Sequence, residues 1–412
     1  MSEEVTPETF GREVLGPIVA EFCLRLWSLG SLFQHPDDIA FLFCARGGLR
    51  MQLAYERFLA ASGLSSPVHM APLMVSRLAA IRPALMQTVD HDLDTLVPSA
   101  ATTLGYEFSR ASLAAVALAV SGTTPNSSDR RWEVPQSGEG FAALLKHRDG
   151  QPVVEALSRQ SELFVRHLQA ALSGRRRAVL VDTGLYGTTR QLLAEGVPGV
   201  AFSSALIARS FRPGLPRRNA KIFGLTVEAD GYSALRRRTT ILRYWHFVEW
   251  LFEPELPSVR TFESQEGVVR SNLEVDGWPG RVLPAPGSAF AGVIEYLEAL
   301  PNDAVERIVL DVDHAWRDLH RAVVWPDRAH GTALLTGTRS HDFGTDATWS
   351  ARPWRGPVAA LTGSTMWREG EIARSGSPLR LPLLGAVEAA YSGRNLWRLV
   401  KGSRGIANKA RG

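Results

Sequence analysis

The sequence predicts an α/β fold, with a mainly parallel sheet flanked by helices, and three observations support this. Uninterrupted apolar runs at 39–44 and 178–181 are typical of strands that are buried on both faces. Stretches in which apolar residues recur every three or four positions alternate with these runs, as expected of helices. Glycines follow both runs closely, which is typical of the tight turns that join a strand to a helix.

The predicted elements alternate along the chain. A helix begins at Thr6-Pro7-Glu8, where Thr6 can cap and Pro7 fits the first position, and its apolar periodicity runs over 14–29. A buried strand follows at 39–44 and a helix at 49–62, ended by Gly63. The remaining predicted elements are a strand at 70–77, a mostly helical block at 78–174 with a loop at 121–139, a strand at 178–182, a helix at about 188–195, and strands at about 200–208 and 221–227.

Composition excludes several classes of protein. The 412 residues include 46 Lys and Arg against 42 Asp and Glu, and 45% are hydrophobic, so the chain is neither collagenous nor wholly disordered. Two cysteines, Cys23 and Cys44, provide no disulfide framework and fit a reducing cytoplasm. The longest apolar stretch, 114–120, is too short to cross a bilayer, and the polar N-terminus is unlike a signal peptide. A net charge of +4 does not imply nucleic acid.

The turn after the 178–182 strand has the residues of an anion site. Asp182 ends the strand, and in an open α/β sheet ligands bind beyond the carboxyl ends of the strands. Gly187-Thr188-Thr189 coincides with a predicted helix start, where free N–H groups and two hydroxyls suit a phosphate monoester. A carboxylate beside a phosphate site suits a sugar phosphate. The alternative is a plain glycine-rich turn with a capping threonine.

A second anion-binding turn is predicted after the 39–44 strand. Arg46 stands beside Gly47 and Gly48, so a guanidinium and exposed backbone N–H groups are available to a phosphate. Two such turns on parallel strands suggest a ligand with two separated phosphate groups, such as a ribose with a 5-phosphate and a 1-diphosphate.

These residues resemble a known family. The segment 178–189 resembles the phosphoribosyl-diphosphate (PRPP) signature of phosphoribosyltransferases, and 39–48 resembles the diphosphate loop of the same fold. Two features depart from that pattern: Thr183 follows Asp182 where a second acidic residue is usual, and the loop is one residue shorter.

Further motifs are similar to those of one subgroup. Over residues 12–260 the chain resembles bacterial PRPP-dependent ribofuranosyltransferases of surface-polysaccharide (O-antigen and capsule) assembly, which are often fused or paired with a phosphatase of the haloacid dehalogenase class. The motifs that carry this likeness, in chain order, are 45–48, 75–77, 181–184, 187–188 and 247–258.

The resemblance implies roles for particular residues. Asp182 would contact the ribose 2- and 3-hydroxyls, and Mg²⁺ would be bound mainly through the substrate diphosphate, with no dedicated protein metal site. The residues expected at the ribose and 5-phosphate are Asp182, Thr183, Gly184, Leu185, Tyr186, Gly187, Thr188 and Thr189. The residues expected at the diphosphate are Ala45, Arg46, Gly47, Gly48 and Arg77, the last as a cation at the end of the neighbouring strand.

The implied activity is transfer of ribofuranosyl 5-phosphate from PRPP to a hydroxyl of a lipid-linked or oligosaccharide glycan. The anomer inverts to β, diphosphate leaves, and a separate phosphatase later removes the 5-phosphate. Catalytic bases are expected at Glu249 and Glu253, which would share one helix face, and Trp245 and Trp367 would bind the acceptor. The alternatives are a solvated acidic helix edge for the glutamates and a surface loop for Trp367.

The expected organisation is a phosphoribosyltransferase-like core at 10–235, with the helical insertion at about 78–174, and an acceptor or membrane-associated region at 236–412. From Gly393 onward six basic residues occur without an acidic one, and Arg394, Arg398 and Lys401 would share a helix face that docks on an anionic membrane. A disordered basic tail is the alternative. The expected location is the cytoplasm, at the cytoplasmic face of the inner membrane.

The motif around Asp311 and Asp313 is similar to a phosphatase motif but is not interpreted as one. Asp311 and Asp313 follow an apolar run as in haloacid dehalogenase phosphatases, but the apolar spacing over 303–324 predicts a helix, so a separate phosphatase is expected. Two rival functions stay open. One is a non-enzymatic regulator that senses PRPP or binds nucleic acid on arginine clusters, although no nucleic-acid signature supports it. The other is a nucleobase phosphoribosyltransferase, for which the chain is longer than needed.

Overall fold

The computed structural model describes residues 5–126, 130–211, 221–275, 277–335, 338–341, 347–350, 356 and 367–409. Its centre is a parallel sheet of five strands, flanked by helices on both faces. The strands are β1 (Ile39–Cys44), β2 (His69–Leu73), β3 (Arg177–Asp182), β4 (Ala201–Arg209) and β5 (Ile222–Glu228). The predicted α/β class with a mainly parallel sheet is therefore confirmed.

The strand order is β2-β1-β3-β4-β5. From β1 the chain crosses first to β2 on one side and then returns past β1 to β3 on the other. The helix that follows β1 therefore packs on one face of the sheet, and the helix that follows β3 packs on the opposite face. A crevice opens at such a switch point beyond the carboxyl ends of the strands, which makes this edge the expected ligand site.

Apolar side chains alternate between the two faces of the sheet. In β1, Phe41 and Phe43 belong to one core and Ala40 and Leu42 to the other, because successive strand residues point to opposite faces. All of them are inaccessible to solvent, which explains why β1 is apolar throughout.

Helices from the two ends of the described chain cover the first face. They are α1 (Pro7–Phe10), which continues through a π-helical turn at Gly11–Leu15 into α2 (Gly16–Ser31), α3 (Gly47–Ser62), α10 (His246–Phe252), α13 (Ala289–Glu298), α14 (Ala304–Val324) and α15 (Arg328–Leu334). The predicted N-terminal start is confirmed, since the Thr6 hydroxyl accepts the Thr9 N–H and Pro7 occupies the first turn. Residues on both sides of position 235 therefore share one hydrophobic core.

The predicted helical block covers the second face. It consists of α4 (Arg77–Asp90), α5 (Pro98–Glu107), α6 (Leu113–Ser121), α7 (Gly138–Lys146) and α8 (Gln151–Leu172), followed after β3 by α9 (Thr188–Gly196). α3 and α9 thus lie on opposite faces, while both begin at the carboxyl edge of the sheet.

One boundary differs from the prediction. The strand expected at 70–77 ends at Leu73, because the Ser76 hydroxyl accepts the Ala79 N–H and so starts α4 at Arg77. Arg77 is therefore the first residue of a helix and not the end of a strand.

The rest of the chain adds hairpins and helices. These are β6 (Phe262–Gln265) with β7 (Val268–Ser271), α11 (Asn272–Val275), α12 (Pro279–Val282), β8 (Thr338–His341) with β9 (Ala347–Ser350), α16 (Arg368–Arg374) and α17 (Arg380–Lys409). The helix predicted over Asp311 and Asp313 is confirmed as α14, where Asp311 accepts from Tyr296 and Arg307. Arg411 of the basic tail lies outside the described residues.

One helical stretch of the described chain, Pro7–Ser31, is long and apolar enough to cross a membrane on length and composition alone. Most of it is buried among α3, α13 and α14, as in the core helix of a globular protein.

Candidate active site

The turns that follow β1 and β3 lie side by side. Phe43 pairs with Val181 in the parallel register, so the two strands end at the same level and at the switch point of the sheet. Gly47 of the first turn packs against Thr183 of the second: a Cβ on Gly47 would lie 2.9 Å from the Thr183 Cγ2. The structure therefore brings together the two turns that the sequence singled out.

Glycine is required where these turns meet the sheet. A Cβ on Gly48 would lie 2.9 Å from the Val181 carbonyl oxygen and 2.8 Å from the Phe43 carbonyl carbon. Gly187 has φ of 64°, in the left-handed region that glycine favours, and a Cβ there would approach Ile222. Both turns therefore depend on the absence of a side chain.

Two helices begin at this edge without a side-chain cap. α3 begins at Gly47 after Arg46, and α9 begins at Thr188 after Gly187; neither preceding residue supplies a side-chain acceptor to the first N–H groups of its helix. The first N–H groups and the positive ends of two helix dipoles therefore face the crevice from opposite faces of the sheet. Such a pair of helix starts suits an anion at each.

Asp182 is half-buried at the end of β3. Burial raises the pKa of its carboxyl, while the N–H groups of Gly184 and Thr183, the Thr183 hydroxyl and the Arg77 charge act in the opposite direction. The Asp182 charge in turn contributes, after burial, to a raised pKa of Cys44. Asp182 is thus a carboxylate with a perturbed pKa at the carboxyl end of β3, and such perturbations are common at functional sites.

Arg77 approaches Asp182 from the start of α4. Its guanidinium pairs with Glu107 of α5, and 29% of its side chain is exposed. Glu107 was not predicted, since it belongs to the helical insertion. The insertion therefore supplies a partner that holds a cation near Asp182.

Arg46 is held on the other side of the crevice. Its Nη1 donates to the Leu256 carbonyl at 3.0 Å, and its Nη2 lies 3.5 Å from the Glu253 Oε2. The Arg46 side chain is 10% exposed and that of Glu253 22%. The peptide bond between Ala45 and Arg46 is cis.

The segment from 251 to 260 crosses the carboxyl edge of the sheet, and side chains of the core bind its carbonyls. Arg50, one helical turn after Arg46, donates to the carbonyls of Leu251, Glu253 and Val282. Burial lowers the pKa of Arg50 to about 10, with Glu255 acting against it. Further along, Ser76 donates to the Val259 carbonyl, and Arg82 to that of Arg260.

Sequence reasoning missed Arg50. The available signal was its position four residues after Arg46 on the same helix face, next to the glycines. Arg50 and Arg46 together fix the backbone that carries Glu253.

The two predicted bases do not share a helix face. α10 ends at Phe252, and Glu253 follows in an extended conformation with ψ of 112°. Glu253 therefore turns to Arg46, whereas Glu249 pairs with His246, with the Nδ1 and Oε2 atoms 3.1 Å apart. The expectation of a common face was wrong because the helix is one residue too short for it.

The two predicted acceptor tryptophans have different surroundings. Trp367 is 2% exposed, stacks on Tyr244 with ring centroids 4.7 Å apart, and donates its indole N–H to the Val323 carbonyl. An acceptor cannot reach it, so this prediction was wrong. Trp245 precedes α10 and is half-buried against the core of the first face.

In the part of the chain that the structure describes, no group of three or more His, Cys, Asp or Glu side chains could hold a metal ion. An apolar cavity lies between α2 and α10 and is lined by residues such as Ile18, Phe247 and Phe252. Its lining side chains are all apolar, so it provides no group that could bind a phosphate.

A scan against models of protein families finds no match to this chain, and a search of curated proteins finds none either. The observations that bear on the function are therefore the motif resemblance, the fold, and the geometry of the two turns at the switch point.

Proposed function

We propose that the chain is a PRPP-dependent glycosyltransferase, which transfers ribofuranosyl 5-phosphate to a hydroxyl of a lipid-linked or oligosaccharide glycan. One observation carries the proposal: the Asp182 turn and the Arg46 turn meet at the switch point of a parallel sheet, where Gly47 packs against Thr183. A parallel sheet with this edge is compatible with the phosphoribosyltransferase fold that the motifs resemble.

The two ends of the donor fit the two turns. The 5-phosphate would bind the N–H groups of the Gly187–Thr189 turn at the start of α9, with the Thr188 and Thr189 hydroxyls beside it. Asp182 would accept hydrogen bonds from the ribose hydroxyls, and the ionised carboxylate offers both of its oxygens as acceptors. The diphosphate would bind the start of α3 and Arg46.

Arg77 adds a positive charge to this site. It lies close enough to act on the Asp182 carboxyl and is held by Glu107. Mg²⁺ bound to the diphosphate would supply further neutralisation of the leaving group. Since the described residues form no metal cluster of their own, such an ion would meet single carboxylates, Asp182 at the end of β3 and Glu253 beside Arg46.

Glu253 is the better placed of the two candidate bases. It contacts Arg46 directly, so a diphosphate that binds Arg46 competes for the same guanidinium and weakens its hold on the Glu253 carboxylate, which would then take the proton of the acceptor hydroxyl. Glu249 has a different partner, His246, and donor binding would not release it.

The proposed glycosyl transfer is a displacement at C1 of the ribose. The acceptor oxygen forms a bond to C1 as the C1–O bond to diphosphate breaks, the hydroxyl proton passes to Glu253, and the electron pair leaves with the diphosphate. Attack opposite the leaving group converts the α-configured donor into a β-ribofuranoside that keeps its 5-phosphate.

The test is incubation of the purified chain with PRPP, Mg²⁺ and a panel of glycan acceptors, followed by mass spectrometry. We expect one product heavier by one ribose and one phosphate, with release of stoichiometric diphosphate. Diphosphate release that requires a nucleobase as acceptor would support the nucleobase phosphoribosyltransferase instead. Absence of turnover with every acceptor, together with undetectable PRPP binding, would contradict the proposal.

A further inference from the structure

The outer face of α17 is apolar and exposed. Leu379, just before the helix, is 55% exposed, Leu381 60% and Trp397 61%. Between Leu381 and Trp397, the other exposed positions among those whose side chains the structure describes are Pro382, Ala386, Ala389, Ala390, Gly393 and Arg394. A surface helix normally turns its charged residues to water, so a solvent-facing side with a single charge is unusual.

The opposite face of α17 fixes which side points outward. Leu384 and Val387 are buried, and Glu388 pairs with Arg243, whose side chain is fully buried. Asn395, two turns further on, donates to the Tyr232 carbonyl at 2.7 Å. These contacts anchor the helix at both ends of the stretch from 384 to 395, so the outward direction of Leu381 and Trp397 is determined by the packing.

The charge of this region has one sign. Six Lys and Arg residues, and no Asp or Glu, occur in 389–412, and α17 continues to Lys409. The segment 374–412 contains eight basic residues and one acidic residue, Glu388, which forms an ion pair with Arg243. The apolar face therefore belongs to a strongly positive segment.

We propose that the outer face of α17 docks on an anionic lipid membrane. Leucine and tryptophan side chains insert at the level of the headgroups, and the basic residues attract anionic lipid, which is the pattern of helices that lie in the interface plane. Each basic residue near the surface adds to the attraction until salt screens it. The proposal does not depend on the glycosyl transfer proposed above, and it would bring the chain to a surface where lipid-linked glycans reside.

A second copy of the chain is a less suitable occupant. Two outer faces brought together would place two basic segments against each other, including the exposed Arg394 of each copy. Repulsion between like charges opposes that arrangement, whereas anionic lipid neutralises it.

Flotation with vesicles tests the proposal. The full chain should bind vesicles with about one third phosphatidylglycerol at least tenfold more tightly than pure phosphatidylcholine vesicles, and high salt should release it. Replacing Leu381 and Trp397 together by serine should weaken binding about tenfold or more, and Arg394→Glu about fivefold. The matched control is Leu32→Ser, because Leu32 is 80% exposed but lies at the end of α2. This substitution should leave vesicle binding unchanged.

Two results would overturn the proposal. One is equal binding to both kinds of vesicle, or equal binding by the parent and the Leu381/Trp397 variant, with circular dichroism showing all variants folded. The other is a dimer in lipid-free sedimentation that the double variant dissociates, because the same face would then be covered by a second copy.

Discussion

Two buried arginines with glutamate partners, Arg46 and Arg243, occupy regions of opposite character. Arg243 has a fully buried side chain, pairs with Glu369 and Glu388, and lies over the rings of Tyr232 and Tyr391 at 4.6 and 4.1 Å. Arg46 has a carbonyl partner and an ion pair at 3.5 Å, beside glycines at an open sheet edge. Burial and a glutamate partner therefore do not by themselves distinguish a structural charge from a functional one.

What distinguishes the two arginines is where each guanidinium lies: the Arg243 side chain is fully enclosed in the core, whereas Arg46 lies at the carboxyl edge of the sheet. Burial lowers the pKa of Arg243, but Glu369 and Glu388 outweigh that effect, and its pKa lies above the ordinary value. The pair of carboxylates joins α16 and α17 to the core beside Tyr244. Arg46, in contrast, is held by contacts that an incoming diphosphate can replace with stronger ones.

The largest effect expected from this contrast is on stability. Arg243→Met should lower the free energy of unfolding by about 3–5 kcal/mol, because Glu369 and Glu388 are left buried without a compensating charge. Denaturant unfolding followed by circular dichroism measures the change. Arg46→Met is the matched control and should cost less, about 2 kcal/mol, since it removes a carbonyl hydrogen bond and an ion pair at the edge of the sheet. Equal losses in both variants would remove the distinction.

The next largest effect is on turnover. Asp182→Asn should lower kcat/KM for the donor by about 100-fold or more, since a neutral amide replaces the charged acceptor for the ribose hydroxyls. The assay is diphosphate release with a glycan acceptor. Thr183→Val provides the control beside it: it keeps the volume, loses one bond to Asp182, and should reduce turnover by less than tenfold. Full activity in Asp182→Asn would place the chemistry elsewhere.

The Asp182→Asn variant should also show a smaller effect on stability: while its activity falls, its free energy of unfolding at pH 7 should rise. Burial raises the pKa of Asp182 in the folded chain above its value in the unfolded chain, so the folded state binds the proton more readily. Asp182 therefore lowers the free energy of unfolding as the pH rises from the unfolded-state pKa through the folded-state pKa.

The asparagine variant has no such dependence, so it should melt at a higher temperature than the parent at pH 7. The difference should shrink as the pH falls toward the ordinary range of an aspartate. Thermal unfolding of both chains between about pH 4 and pH 7 measures it. A parent that is the more stable at pH 7 would mean that the hydrogen bonds to Asp182 outweigh its burial.

Local chemistry explains what could be predicted from the sequence. The apolar run of β1, the glycines after β1 and β3 and the periodicity around Asp311 are visible along the chain itself, so the sheet, both turns and the helix over Asp311 were predictable. The strand expected through Arg77 is shortened by a local cap, since the Ser76 hydroxyl accepts the Ala79 N–H and a serine at this position is itself a helix-start signal.

The rest depends on contacts that are distant along the chain. Arg46 meets Glu253 more than two hundred residues later, and Trp367 is buried against Tyr244 rather than exposed in a loop. A hydropathy pattern gives no information on such partners. The position of Glu253 additionally depended on α10 ending at Phe252, and helix ends are among the least predictable features of a sequence.

The smallest effect concerns the exchange of partners at Arg46. Glu253→Gln should bind diphosphate, added with Mg²⁺, about fivefold more tightly than the parent, because the ion pair that competes for Arg46 is worth about 1 kcal/mol at this partial exposure. Glu249→Gln, whose glutamate pairs with His246, should bind as the parent does, and Arg46→Met should bind about ten- to hundredfold more weakly. Isothermal titration calorimetry measures all three without requiring turnover. If Glu253→Gln instead bound diphosphate more weakly, Glu253 would be positioning Arg46 for the ligand, and the ion pair would be part of the binding site rather than a contact that the donor displaces.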